Sequence, residues 1–184
     1  MAHAVVFEAG VLVLAIAVGW MVSVDPFAGL VFRLDHLGIG VAATVPPVVA
    51  LWLLQRSTAP AVLEFRRVVE ELVGPLFADA RVTHMVALAL TAGVAEEALF
   101  RGLLQNGLTG LTGWLPALLI ASVLFGVVHW LTGLYAFLAG VVGLYLGGLY
   151  LITGNLLVPI VVHALYDVVA LGYLWRAGST PVTE

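Results

Sequence analysis

The chain has 184 residues, of which 62% are hydrophobic and only 10% charged, with a mean hydropathy of +1.13, whereas soluble domains carry roughly 25% charged residues. That balance excludes a water-soluble fold. A net charge of −4, with Arg as the only basic type, leaves no polybasic patch for nucleic acid, and the lack of Cys excludes disulfides, thiol catalysis and thiolate metal sites.

A spanning helix needs about 20 mostly apolar residues, because every backbone N–H and C=O must be paired internally where water is absent. The first such stretch is Ala4 to Val24, ended by Asp25 and Pro26. The N-terminus lacks the basic region and small-residue cleavage site of a secretory signal, so this stretch is expected to be a retained span. A polar loop with Arg33, Asp35 and His36 follows. Leu37 to Leu54 is a second, shorter span, which Pro46 and Pro47 should kink by removing two backbone donors.

From Ala59 to Phe77 the pattern changes. Val62, Phe65, Val69, Leu72 and Leu76 recur at three- and four-residue steps, while Glu64, Arg66, Arg67, Glu70 and Glu71 occupy the other faces. An amphipathic helix lying on the membrane surface is expected. Further spans are read at Val82 to Gln105, Trp114 to Leu131, Tyr135 to Ile152 and Leu156 to Trp175. Gly140, Gly143, Gly147 and Gly148 give one of them a small-residue strip suited to close packing in lipid. Trp20, Trp114, Trp130 and Trp175 near the span ends fit interfacial anchors, and His3, His36 and His84 at ends or loops need no functional explanation.

The expected architecture is all-α: a polytopic transmembrane bundle of about six spans plus one interfacial amphipathic helix. Residues 1–184 form one integral membrane domain, with N-terminal spans and the surface helix in 1–81 and a helical core in 82–176. Six spans place both termini on one side. Arg56, Arg66, Arg67, Arg81 and Arg176 fall on that side against Arg33 opposite, which predicts cytoplasmic termini. High Gly, Ala, Val and Arg without Lys fit a prokaryotic inner membrane.

Ionisable groups inside spans cost on the order of 3 kcal/mol each at mid-bilayer. Six draw attention: Glu96, Glu97, Arg101, His129, His163 and Asp167. Adjacent helical residues point about 100° apart, so Glu96 and Glu97 cannot share one direction. Glu97 and Arg101, four apart with the acid first, read as a structural pair. Glu96 has no such partner in its own helix, and an unpaired carboxylate in apolar surroundings is the kind of group recruited as a general base. His163 and Asp167 are also four apart, so the Asp can hold one ring nitrogen of the His. His129 alone says little, but three spans each carrying an ionisable group are most cheaply buried by turning toward one interior site. Simple span boundaries put His129 near the cytoplasmic end and His163 nearer the other, a mismatch that continuation of the helix carrying His129 past Gly133 would remove.

These residues resemble the CPBP group of intramembrane proteases, which includes the type II CAAX prenyl endopeptidases and the Abi-type bacteriocin-processing and immunity proteins. The family's EExxxR, FxxxH and HxxxN/D motifs are matched in order by Glu96, Glu97 and Arg101, by Phe125 and His129, and by His163 and Asp167. The resemblance implies an endopeptidase in which Glu96 and His129 activate water and His163 with Asp167 stabilises the oxyanion, with Glu97, Arg101 and Phe125 as structural support. It also implies a peptide or protein substrate at the membrane, the bilayer itself as the other partner, and no cofactor.

Asp167 stands where prenyl endopeptidases carry Asn, and an ionised Asp cannot donate to an oxyanion. Either it is protonated or it orients a charged His163 that donates instead. The second option is favoured by the four-residue spacing. A zinc-dependent metalloprotease using the same residues stays open, although HExxH is absent. So does a nonproteolytic scaffold or immunity-type protein. A transporter would usually show duplicated halves, and none is visible.

Overall fold

The computed structural model describes residues 2–77 and 80–178. Of Leu76 and Arg176, which entered the apolar stripe and the Arg count, only the backbone is described.

The helices run α1 (Ala2–Val22), α2 (Leu34–Ala43), α3 (Val45–Arg56), α4 (Pro60–Leu72), α5 (Val82–Glu97), a π-helical segment Ala98–Gln105, α6 (Asn106–Thr112), α7 (Trp114–Val128), α8 (Gly133–Thr153) and α9 (Leu157–Gly178). Five continuous helical stretches are long and apolar enough to cross a membrane, and α7 is a shorter apolar helix. Together they make the expected bundle, and the protein is an integral membrane protein.

Among the spans, three boundaries differ from the sequence reading. The second span runs from Leu34 to Arg56, broken at Thr44, and the prolines sit in the first turn of α3, where their missing N–H groups forfeit no helical bond. The third span does not stop at Gln105 but continues through the π-helical segment to Thr112, 31 residues in all. α7 ends at Val128, and His129 to Thr132 is not helical, so no continuation past Gly133 exists.

α5 packs between α1 and α9, and α7 packs along α8. Ala4 and Val5 at the start of α1 meet Phe77, Met85 and Leu88, together with Leu171 and Trp175 near the end of α9. This contact puts the start of α1 and the end of α9 on one side of the bundle, along with the start of α5. Close approach of α5 to α9 depends on Gly93, where a Cβ would stand 3.1 Å from both Cβ and N of Ala164. Outward faces are apolar, with Phe7, Val13, Ile16, Trp52 and Leu53 exposed, as a lipid-facing surface requires. Trp20, Trp114 and Trp130 are exposed as well.

α4 is amphipathic as expected, but it ends at Leu72, short of the expected Phe77, and Gly74–Phe77 forms a separate 3-10 turn. Its Arg67 binds Glu64 and Glu71 at the surface, and the hydrogen bond from Arg67 holds the Glu64 carboxyl below its ordinary range. On the inner face Phe65 stacks on Tyr135 at the start of α8, with ring centroids 5.5 Å apart. Arg66 donates to Gln55 O at 2.6 Å, tying α4 to the end of α3.

Candidate active site

The third span and α7 form a hairpin about Gly113, whose φ of +84° is in the region that favours glycine. Glu96 lies 17 positions before this turn and His129 16 after it, so the two come level. With 15 residues, α7 is only about 22 Å long at 1.5 Å per residue, short of a hydrocarbon core of about 30 Å. Its C-terminal end, and with it His129, therefore lies within the bundle rather than at the surface. This removes the depth mismatch that uniform span lengths imply. Non-helical backbone at that depth is tolerated where it lines a cavity.

Two polar systems meet there. In the first, His129 Nε2 stands 3.6 Å from Glu96 Oε2. His129 Nδ1 lies 2.7 Å from Phe125 O; a carbonyl only accepts, so Nδ1 carries the proton and Nε2 is left to face Glu96. The second centres on His163. Its Nδ1 lies 2.7 Å from Glu97 Oε1 and its Nε2 3.5 Å from Asp167 Oδ2. Glu97 Oε1 also accepts from Arg101 Nη1 at 2.9 Å, and Arg101 Nη2 donates to Gly143 O at 2.9 Å. Four residues on, Gln105 Nε2 donates to Gly147 O at 3.1 Å, so the π-helical segment is laced to the α8 backbone.

Phe125 joins the two systems. Its ring stacks on His129 at 4.5 Å between centroids, meets His163 edge-on at 5.9 Å, and lies beneath the Arg101 guanidinium at 4.7 Å. The exposures divide the site. Glu97 and Arg101 are 0% and 1% exposed, whereas Glu96, His129 and Asp167 keep 14%, 24% and 26% of their side-chain surface. The sealed groups can only position their neighbours, while the others can meet water and a substrate.

All seven residues singled out in the sequence thus come together. Two features were not anticipated. Glu97, read as a partner for Arg101 alone, also holds His163. Glu8 of α1 belongs to the same neighbourhood, because it interacts electrostatically with Glu96, His163 and Asp167 and buries Oε2 without a hydrogen-bonding partner. By contrast, a cavity of about 420 Å³ between α7 and α8, lined by Val123, Val127, Trp130 and Phe137 among others, carries no ionisable side chain. It is no rival for the chemistry.

Among known proteins, residues 78–169 match the family model described as type II CAAX prenyl endopeptidase Rce1-like. The chain is 35% identical over 95 residues to the uncharacterized protein YpbD of Bacillus subtilis (strain 168), covering 51% of this chain and 47% of that protein. It therefore spans about half the length of the curated relative it matches. No solved structure matches.

Proposed function

Because the chain belongs to the Rce1-like family of type II CAAX prenyl endopeptidases, we propose that it is an intramembrane endopeptidase that hydrolyses a peptide bond of a membrane-associated or prenylated protein. The observation that carries this reading is the 3.6 Å approach of His129 Nε2 to Glu96 Oε2 across two helices. Both atoms are acceptors when His129 is neutral, so one water can donate a hydrogen to each. Glu96 takes a proton as the water oxygen attacks the scissile carbonyl, forming the C–O bond of a tetrahedral intermediate. The intermediate collapses with cleavage of the C–N bond, and the proton held by Glu96 passes to the departing amine.

His163 supplies stabilisation for the oxyanion. Its Nδ1 is bonded to Glu97 at 2.7 Å, while its Nε2 stands 3.5 Å from Asp167 Oδ2, an ion-pair distance longer than an ordinary N–H···O bond, so in a ring protonated on both nitrogens the single Nε2 hydrogen stays available to the reacting carbonyl beside Asp167. This favours the orienting role for Asp167 over one in which it donates. Among the described residues no three His, Asp or Glu side chains are spaced to share a metal ion; this supports reading the hydrolysis as metal-free, and no step is routed through a metal. Arg56, Arg66, Arg67 and Arg81 on the side where α1 begins and α9 ends, against Arg33 on the other, support cytoplasmic termini, and the Gly-, Ala-, Val- and Arg-rich composition without Lys supports a prokaryotic inner membrane.

The test is cleavage of a peptide library by the purified protein in detergent, read by mass spectrometry, with and without chelator. Glu96→Gln, His129→Ala and His163→Ala should each lower the rate by roughly 10²-fold or more. Undiminished cleavage by all three variants, or loss of wild-type cleavage on chelation, would overturn the reading.

A further inference from the structure

We propose that the hydroxyl of Tyr135 is a second hydrogen-bond donor to the oxyanion of the tetrahedral intermediate. The proposal rests on the peptidase reading above and deepens it by adding a catalytic residue that none of the three motifs contains.

The need comes from the donor count. An oxyanion in a water-poor site is held by donors aimed at the position where charge develops, usually more than one. Within this site His163 can offer only Nε2, because Nδ1 is engaged by Glu97 at 2.7 Å. Ionised Asp167 and Glu96 accept and do not donate, and the Arg101 guanidinium, 1% exposed, is bonded to Glu97 and Gly143 O. A neutral O–H donor between the two halves of the site would complete the cradle.

Tyr135 stands there. Thr132 fixes its backbone at the start of α8 by accepting from Tyr135 N at 3.1 Å. Its ring packs flat on Phe65 at 5.5 Å and edge-on to His129 at 6.1 Å. The phenol is near enough to Asp167 on α9 and Glu96 on α5 to interact with both electrostatically, and its ring abuts that of His129, which places it beside both the water-activating pair and the Asp167 end of the site. Two aromatic contacts and a capped backbone hold the ring that carries the hydroxyl before substrate arrives, the preorganisation that a catalytic donor requires.

Tyr135→Phe keeps the ring between Phe65 and His129 and removes only the hydroxyl. Assayed in detergent on a peptide that the wild type cleaves, it should lower kcat by about 10²-fold with KM changed by less than about threefold. Its unfolding temperature should equal that of the wild type. Phe65→Leu, which weakens the stack but keeps the hydroxyl, should cost less than about tenfold in kcat. A Tyr135→Phe enzyme with unchanged kcat, a defect confined to KM, or an equal loss in Phe65→Leu would overturn the proposal while leaving the peptidase reading intact. Failure of the wild type to cleave any peptide, or full activity of Glu96→Gln, would instead overturn the peptidase reading and this inference with it.

Discussion

Arg101→Met tests how the buried charges are held. Arg101 is 1% exposed, donates to Glu97 Oε1 and to Gly143 O at 2.9 Å each, and lies over the Phe125 ring. Removing the cation strips Glu97 of its guanidinium while Oε2 of the same carboxylate already lacks a partner. Only His163 then remains to hold a fully buried carboxylate. Breaking a buried pair from one side costs about 3–5 kcal/mol. For a chain of this size about 1 kcal/mol corresponds to roughly 2–4 °C, so the unfolding temperature should fall by about 6–20 °C. The assay is thermal unfolding in mild detergent, followed through the fluorescence of the five tryptophans. Adding Glu97→Gln removes the stranded charge and should restore at least half of the loss, because an ion pair and its uncharged replacement are often close in stability. An Arg101→Met protein within about 1 kcal/mol of wild type, or a double variant no more stable than the single one, would refute this account.

Three other substitutions, one of them a control, probe how the site is framed. Gly102→Ala would drive a Cβ into the backbone carbonyl of Pro26, whose C and Cα would lie 2.7 and 3.1 Å away, and backbone cannot rotate aside. A loss of about 1–3 kcal/mol is expected, whereas Gly110→Ala, with nothing within 4 Å, should leave the melting temperature unchanged or slightly raised; equal effects would contradict the steric reasoning. Asn155→Ala removes bonds to Val31 N, Val31 O, His36 Nδ1 and Leu157 N and should cost about 2–4 kcal/mol. Hydrogen exchange should quicken around Val31 and Leu157, and unchanged protection there would count against Asn155 tying the loop before α2 to the start of α9.

Much of this was legible because it is local. The surface helix followed from period, and the Glu97–Arg101 and His163–Asp167 pairs from four-residue spacing on a helix. The bond from His163 to Glu97 spans 66 positions, and no local pattern encodes it. Glu8 was missed for another reason: α1 is apolar almost throughout, so no stripe marks its inner face. Yet a carboxylate well inside a span carries the same desolvation cost as Glu96, and that rule applied evenly flags it. The depth of His129 was misjudged by taking each apolar stretch as a full crossing. The near-equal distances of Glu96 and His129 from Gly113 were in the sequence, but their meaning depended on α7 being too short to cross. Tyr135 had no signal, since an aromatic near a span end usually faces the interface.

The division of the site into sealed and accessible groups links stability to rate. Glu97 and Arg101 have no solvent-accessible side-chain surface worth the name, and their bonds run to His163 and to the α8 backbone. Glu96, His129 and Asp167 keep surface of their own. His163 bridges the halves, with Nδ1 on the sealed carboxylate and Nε2 toward the accessible one. Burying one charge between a guanidinium and an imidazole lets the outer carboxylate remain unpaired by any Arg, and hence available for proton transfer. Substitutions in the inner half should therefore register first in the unfolding temperature and those in the outer half in kcat. At His163 both readouts should move together, because it belongs to both.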